Sequence, residues 1–247
     1  MAEFQMKIAG TVGRVTALFQ STAAYCGRYL AAEPADFAVT VTPADLVRAQ
    51  EKLNDEADRE GLRRRKFTDP FLERTVIQEA FAHELFRRDV LLLHGSTLAM
   101  DGAAYLFTAP CGTGKSTHTR LWREEFGDRV VMVNDDKPFL EITRGGVIAH
   151  GAPWSGKHGL DTNISAPLGG ICILARGRAD RIRPMDAVEA LPFLATQCHC
   201  PEDPAADERL RRLLQMLTAR VPLWHMECTP TANAARTAYE AMHMDSL

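Results

Sequence analysis

A glycine-rich stretch near the middle of the chain, residues 109–117 (APCGTGKST), has the residue types that hold a polyphosphate. Gly112 and Gly114 allow the backbone to turn its N–H groups inward, toward bound phosphate oxygens. Lys115 can reach the outer phosphates, and the Ser116 hydroxyl can bind magnesium. The sequence therefore predicts that this loop binds ATP and Mg²⁺.

The loop departs at one position from the pattern G-x-x-x-x-G-K-[ST]. Ala109 replaces the first glycine, and alanine can serve there if the backbone angles are ordinary. Cys111 lies within the loop, in an electropositive setting that favours a reactive thiol. The residues predicted to contact the nucleotide are Pro110, Cys111, Gly112, Thr113, Gly114, Lys115, Ser116 and Thr117.

Two adjacent carboxylates form the second chemically active group. An apolar run in residues 130–137 (VVMVNDDK) delivers Asp135 and Asp136 at its carboxyl end, where phosphate-loop proteins carry an acidic residue that organises magnesium. Two aspartates permit a division of labour, in which one carboxylate binds the metal and the other accepts a proton from an attacking hydroxyl. The sequence predicts Ser116 and Asp136 as metal ligands and leaves open which aspartate is the base.

A third segment, residues 150–174 (HGAPWSGKHGLDTNISAPLGGICIL), combines glycines with polar side chains. This composition predicts a loop that closes over the transferred phosphate or the acceptor. Lys157 is predicted to neutralise charge that develops on the phosphoryl oxygens. Arg176, just beyond the strand that follows, is a second predicted phosphate anchor.

The first 88 residues are predicted to form a small α+β region ahead of these motifs. Runs rich in β-branched and aromatic side chains predict strands in residues 6–19 and 36–43. Helices are predicted over residues 21–34, with a cap at Ser21 or Thr22, 44–60 and 68–89. In the last of these helices, one buried face is predicted from the spacing of Ile77, Ala80, Phe81 and Leu85.

Residues 89–247 are predicted to form a nucleotide-binding domain of the α/β class. Asp101-Gly102 is a strong hairpin signal between two strand-like runs in residues 90–108. Further strands are predicted in residues 129–136, 140–151, 169–177 and 221–228. Helices are predicted in residues 116–126, 185–194, 204–220 and 229–242.

Composition and charge argue against several classes of function. The 247 residues carry a formal net charge of −3, which disfavours a nucleic-acid or anionic-membrane surface. No apolar run approaches the roughly 18 to 20 residues that span a bilayer, and the first residues lack a signal-peptide pattern, so a cytoplasmic protein is expected. The six cysteines are expected to be reduced, and the Cys198-His199-Cys200 spacing is too close for a typical zinc site.

The motifs LLLHGS, APCGTGKST and VNDD, with a hairpin between the first two, resemble the catalytic domain of bacterial HPr kinase/phosphorylase. That family is similar in turn to ATP-dependent phosphoenolpyruvate carboxykinase. The resemblance covers approximately residues 90–174 and implies a P-loop kinase core of mixed, strand-rich sheets, with the N-terminal region packed on it. It also implies that Lys115 and Ser116 hold ATP and magnesium, that His94 lies beside the phosphates, and that a homo-oligomer is possible.

The function expected from these residues is an ATP-dependent kinase that phosphorylates a hydroxyl acceptor, either a serine in a small protein or peptide or a small metabolite. The Glu-x-x-Gly signature of HPr kinases cannot be placed in this sequence, which argues against HPr itself as the acceptor. One alternative is a regulatory module that binds a nucleotide without transferring phosphate. A carboxykinase-like enzyme of organic acids ranks last, because those enzymes are roughly twice this length.

Overall fold

The computed structural model of the protein describes residues 1–59, 61 and 63–244. The chain divides into two compact units, Met1–Leu85 and Phe86–Leu247. The first unit contains strands β1 (Ala2–Ile8), β2 (Thr11–Ala17) and β3 (Phe37–Thr40), and helices α1 (Gln20–Tyr25), α2 (Pro43–Arg59) and most of α3 (Asp69–Phe86). Among the described residues, no helix is both long enough and apolar enough to cross a lipid bilayer.

The second unit contains the remaining elements. Its strands are β4 (Val90–Leu92), β5 (Ser96–Met100), β6 (Ala103–Thr108), β7 (Val131–Asn134), β8 (Phe139–Thr143), β9 (Gly146–His150), β10 (Ser165–Arg176), β11 (Arg181–Pro184) and β12 (Leu223–Cys228). Its helices are α4 (Lys115–Phe126), α5 (Ala187–Gln197), α6 (Pro204–Thr218) and α7 (Ala232–Met244).

The first unit is a three-stranded sheet in the order β1-β2-β3, with β1 and β2 antiparallel and β2 and β3 parallel. A tight turn joins β1 to β2 through Ala9 and Gly10, both of which have positive φ. Gly13 on β2 leaves room for the edge-to-face pair of Phe37 and Phe81, because a Cβ there would come within 2.5 Å of the Phe81 ring.

Helix α1 differs from the prediction at its start. It begins at Gln20, and no side chain caps it, so the cap predicted at Ser21 or Thr22 is wrong. The reason lies in α3, where Glu73 is fully buried and accepts a hydrogen bond from the Thr22 hydroxyl. A buried carboxylate needs such donors, so Thr22 serves Glu73 and not the helix end.

The helix predicted over residues 68–89 is confirmed as α3. Ile77, Phe81 and Leu85 are fully buried along one face, and Ala80 lies at its margin, half-buried. The spacing of apolar residues therefore located the buried face correctly, because side chains three and four positions apart lie on the same side of a helix.

The second unit is built on a mixed, strand-rich sheet, which confirms the α/β class. Its main path runs β4-β8-β9-β10-β6-β5-β7, β12 lies along β10, and β11 lies along β12. Strand β10 changes partners along its length: Ser165 to Pro167 pair antiparallel with β9, whereas later residues pair in parallel with β6 and β12. Because β6, β10 and β12 run in parallel, their carboxyl ends meet at one edge.

Two hydrophobic cores cover the two faces of this sheet. Alternate residues of β10 belong to different cores. Ile171 packs with α5 and α6, whereas Cys172 packs with α4 and α7. This division follows from the two-residue period of a strand. Trp122 of α4 and Leu213 of α6 are fully buried in the respective cores, so the sheet is a middle layer between helices.

The first strand-like run predicted in residues 90–108 is two separate strands. Strand β4 pairs with β8, whereas β5 pairs with β6 and β7. The break falls at His94, whose N–H donates to the Gln197 carbonyl at 2.8 Å, and at Gly95, where a Cβ would lie 3.1 Å from the Phe107 carbonyl. The hairpin of β5 and β6 at Asp101-Gly102 is confirmed, and β11 was not predicted.

Candidate functional site

The loop that joins β6 to α4, residues 109–114, is called the glycine loop here. Gly112 and Gly114 have φ of 74° and 125°, values at which any side chain would be strained. The only described non-glycine residues with positive φ are Ala9, Asp89 and Asp101, so Ala109 has the ordinary backbone that its prediction required. Pro110 and Thr113 close the turn, since the Thr113 N–H donates to the Pro110 carbonyl.

Lys115 lies across the glycine loop. Its Nζ donates to the Ala109 carbonyl at 3.0 Å, and only 9% of the residue is exposed. Burial lowers the pKa of Lys115, while the negative charge of Asp136 acts in the opposite direction. The side chain therefore links the start of α4 to the end of β6 and keeps a cation against the loop.

The first turn of α4 favours an anion. Its N-cap residue is Gly114, no side chain caps the helix, and the first turn contains no acidic residue. Ser116 and Thr117 lie in this turn and are half-buried. Backbone N–H groups at a helix start without side-chain partners attract phosphate groups, so the loop and the helix start offer donors in one place.

Arg176, predicted as a phosphate anchor, lies at the end of β10 and reaches the glycine loop. Its guanidinium donates to the Gly112 carbonyl at 2.7 Å, and the residue is exposed. Cys111 is also exposed. A second cation therefore stands beside the loop, on the side opposite β5 and β7.

Asp135 follows β7 and is held in a buried hydrogen-bond cluster. Ser96 of β5 donates to its Oδ1 at 2.6 Å, and Thr119 of α4 lies 3.4 Å from the same oxygen. The Ser96 and Thr119 hydroxyls are 2.8 Å apart, and Asp135 is only 5% exposed. The cluster fixes the end of β7 to the helix that follows the glycine loop.

Asp136 is more accessible, since about a third of its side chain is exposed. The Nε2 of His94 lies 3.4 Å from its Oδ1. Burial alone would raise the pKa of Asp136, but the hydrogen bond from His94 and the positive charges of Lys137 and Lys115 outweigh it, so the pKa is lowered. Asp136 is therefore an ionised carboxylate that is open to a ligand.

Asn134 positions the backbone of Asp136 and Lys137, and sequence reasoning missed this role. It is fully buried, and its Oδ1 accepts from the N–H groups of Asp136 and Lys137 at 2.8 and 2.6 Å. Its Nδ2 donates to the Ala152 carbonyl at 2.7 Å. An amide side chain directly after an apolar strand was the only available signal.

The segment predicted to close over the phosphate, residues 150–174, continues into β10 from Ser165, and the part before β10 is packed against the end of β7. Gly156 lies against Asp136, because a Cβ there would come within 3.1 Å of the Asp136 Cβ. Ser155 donates to Asp161 at 2.6 Å. Lys157 is exposed and directly follows Gly156, the residue that lies against Asp136. No hydrogen bond or ion pair of Lys157 is described.

Ser96 and Thr119 are further site residues that sequence reasoning missed. Thr119 is three positions after Ser116 and therefore shares its helix face. Ser96 is two positions after His94, but β4 ends at Leu92 and β5 begins only at Ser96, so the two residues do not lie on one strand. Its contact with Asp135 joins residues 39 positions apart, a distance that sequence patterns do not reveal.

The donors around the glycine loop fit magnesium. The described residues contain no group of three or more His, Cys, Asp or Glu side chains arranged to hold a metal ion. Magnesium needs fewer, since it commonly binds one or two carboxylates together with substrate phosphates and water. Ser116 and the Asp135-Asp136 pair supply oxygen donors of this kind.

The Cys198-His199-Cys200 stretch lies against the end of β4 and the residue that follows it. Cys198 pairs with Leu93 in an isolated bridge, and burial raises the pKa of its thiol to about 12. Such a thiol stays protonated at neutral pH and is a poor metal ligand. The His199 N–H donates to the Leu92 carbonyl, so this stretch helps to hold the chain that leads into His94.

No protein-family model matches the chain, and no curated protein matches it. Solved structures that are similar include the HPr(Ser) kinase/phosphatase from Coxiella burnetii. The two share 12% sequence identity, the match covers 62% of this chain and 93% of that chain, and the TM-score is 0.35. This is a distant structural relationship, too distant to assign a reaction to this chain.

Proposed function

We propose that the protein is a kinase that transfers the terminal phosphoryl group of ATP to a hydroxyl acceptor. The observation that carries the proposal is the buried cluster in which Asp135 contacts Ser96 and Thr119, because it holds the Asp135-Asp136 pair against the helix that begins at the glycine loop. A phosphate-binding loop and an open carboxylate at one edge of a sheet are the parts that phosphoryl transfer needs.

The phosphate chain would lie along the glycine loop. The backbone N–H groups of Gly112 and Gly114 and the first turn of α4 would donate to its oxygens, and the Lys115 ammonium would leave the Ala109 carbonyl for the outer phosphates. Ser116 and one carboxylate would hold magnesium, which, when bound, neutralises charge on the β- and γ-phosphates.

Asp136 would orient the acceptor. Asp135 is already engaged by Ser96 and Thr119, whereas Asp136 is partly exposed and ionised. A carboxylate with a lowered pKa is a weak base, so it would first accept a hydrogen bond from the acceptor hydroxyl. It would take the proton as the new oxygen–phosphorus bond forms and makes that hydroxyl acidic.

The transfer exchanges one oxygen–phosphorus bond for another. The acceptor oxygen forms a bond to the γ-phosphorus, the bond from that phosphorus to the β–γ bridging oxygen breaks, and ADP leaves. His94 would keep Asp136 oriented. Lys157, on the exposed turn after Gly156, would neutralise charge on the phosphoryl oxygens during transfer.

The test uses the purified protein, Mg²⁺, ATP labelled at the γ-phosphate and a cell extract as the source of acceptors. The expected result is a labelled acceptor that disappears with Asp136→Asn. The matched control is Arg120→Ala, because Arg120 is exposed on the same helix as Lys115 and pairs with Glu124; it should transfer normally. Tight ATP binding with no labelled acceptor in repeated extracts would support a regulatory nucleotide-binding module instead.

A further inference from the structure

A pocket of about 470 Å³ adjoins the glycine loop on its β10 and α5 side. The residues that line it come from the glycine loop (Pro110 and Thr113), from the end of β10 and from α5. Pockets of roughly 300 to 1,000 Å³ are the usual size of small-molecule sites. Neither the loop motif nor the aspartate pair accounts for this pocket.

The pocket has an apolar body with two charged groups at its margin. Leu174, Met185 and Phe193 provide apolar surface, and the Phe193 ring is half-buried. Arg176 stands on the loop side, where it donates to the Gly112 carbonyl. Glu189 lies on α5 and is exposed, and both of its carboxylate oxygens accept hydrogen bonds from the Arg183 guanidinium. A flat, apolar ring with a polar edge matches these surfaces.

The strand order gives a bound triphosphate a direction. β6 leads into the glycine loop, β5 and β7 lie on one side of it, and β10 lies on the other. Asp136 follows β7, two strands from β6, whereas the pocket is formed at β10, one strand away. At about 4.8 Å between strands, these sites are about 14 Å apart. A nucleotide whose terminal phosphate lies at Asp136 therefore extends toward the pocket.

We propose that this pocket holds the base of the phosphoryl donor and favours a base with an exocyclic amino group. The ring would stack against Phe193, the amino group would donate to Glu189, and Arg176 would neutralise the phosphate nearest the ribose. This inference rests on the proposed function, because it assumes that the glycine loop binds a phosphate chain.

The test is a calorimetric titration of the full-length protein with Mg²⁺ and, separately, ATP, ITP and inorganic tripolyphosphate. ITP carries an oxygen where ATP carries the amino group, and tripolyphosphate has no base. We expect the wild type to bind ATP about tenfold more tightly than tripolyphosphate, since stacking of a base on an aromatic side chain is worth about 1 to 3 kcal/mol. Phe193→Ala should remove this advantage and leave tripolyphosphate binding unchanged.

Three further variants sharpen the test. Phe193→Leu keeps an apolar side chain of similar volume, so it should fold and still lose most of the advantage of ATP. Glu189→Gln should reduce the preference for ATP over ITP. Val188→Ala is the matched control, because Val188 neighbours Glu189 on α5 and is 82% exposed; it should bind all three ligands as the wild type does.

The outcomes separate the two proposals. Equal affinity of the wild type for ATP and tripolyphosphate, or an equal loss of both ligands in Phe193→Leu, would overturn the base site while leaving the loop as a phosphate site. Failure of all three ligands to bind the wild type would overturn the proposed function and the base site together.

Discussion

The two sides of the glycine loop present different chemistry to a ligand. On the β5 and β7 side lie His94, Asp135 and Asp136, all charged or hydrogen-bonded. On the β10 and α5 side the surface is mostly apolar, with Arg176 and Glu189 at its margin. The two ends of the loop therefore differ, and the loop suits a ligand with a reactive phosphate at one end and a flat, apolar group at the other.

A second contrast lies within the charged side. Asp135 and Asp136 are adjacent in sequence, but Asp135 is enclosed between β5 and α4, whereas Asp136 faces His94 and Gly156. Asp135 is therefore held in one orientation by its neighbours, whereas Asp136 is open to an acceptor.

The largest effect is expected from Lys115→Met. Removal of the buried ammonium that donates to the Ala109 carbonyl should reduce kcat/KM for phosphoryl transfer on the order of 10³-fold. Arg120→Ala on the same helix should have no comparable effect. Steady-state kinetics with a labelled acceptor measure kcat/KM for both variants. Similar losses of kcat/KM in Lys115→Met and Arg120→Ala would contradict a specific role of Lys115 at the glycine loop.

The next largest effect is expected from substitution of the two aspartates, which should differ in their consequences for rate and stability. Asp136→Asn should reduce kcat about 10²-fold or more, with little change in melting temperature, because the side chain is partly exposed and acts on the acceptor. Asp135→Asn should lower the melting temperature as well, since it weakens a buried cluster. Thermal unfolding and single-turnover rates measure the difference. Equal losses of rate and of melting temperature in Asp136→Asn and Asp135→Asn would contradict the different roles of the two carboxylates.

A pH-dependent effect is expected at His118, on the inner face of α4. His118 is buried and accepts a hydrogen bond from the Trp122 indole, and burial lowers its pKa from 6.5 to about 4. The unfolded chain therefore binds more protons between these values. The stability due to the neutral ring is complete above pH 6.5 and is lost as the pH falls through about 4, by about 3 kcal/mol at pH 4.

His118→Gln tests this expectation, because glutamine can still accept from Trp122 but does not titrate. Denaturant unfolding at pH 7, 5.5 and 4 should show a smaller loss of unfolding free energy in the variant than in the wild type. If the two proteins lose stability in parallel, His118 does not control the acid sensitivity of the helix that carries the loop.

The smallest effect is expected from two neighbouring hydroxyls on β5. Ser96→Ala should lower the free energy of unfolding by about 1 to 2 kcal/mol, because Asp135 loses its closest donor. Thr97→Val is the matched control: Thr97 is fully buried, and its hydroxyl has no described hydrogen-bond partner, so the change should be neutral or stabilising. A larger loss in Thr97→Val than in Ser96→Ala would contradict the cluster around Asp135.

Local patterns were enough to predict much of the fold and part of the site. The glycine loop, the hairpin at Asp101-Gly102 and the buried face of α3 depend on residues close together in sequence, where turn chemistry and periodicity are informative. The position of Asp135 and Asp136 after an apolar strand was also predictable. Their roles remain predictions, since composition alone could not distinguish the two carboxylates.

The rest depends on contacts between distant residues. Ser96, Thr119 and Asp135 meet only because β5 lies between β6 and β7, and no sequence pattern sets that order. A strand was predicted over residues 169–177, but β10 begins at Ser165, and its first residues pair with β9 before later ones pair with β6. The pocket at Phe193 exists because α5 covers the end of β10, which depends on tertiary packing.

The most direct measurement is a crystal structure of the protein with Mg²⁺ and a non-hydrolysable ATP analogue. We predict that the phosphates lie on the N–H groups of the glycine loop and the start of α4, with the terminal phosphate beside Asp136 and the base toward Phe193. A phosphate chain bound away from the glycine loop, or one whose terminal phosphate points toward β10 and away from Asp136, would contradict it.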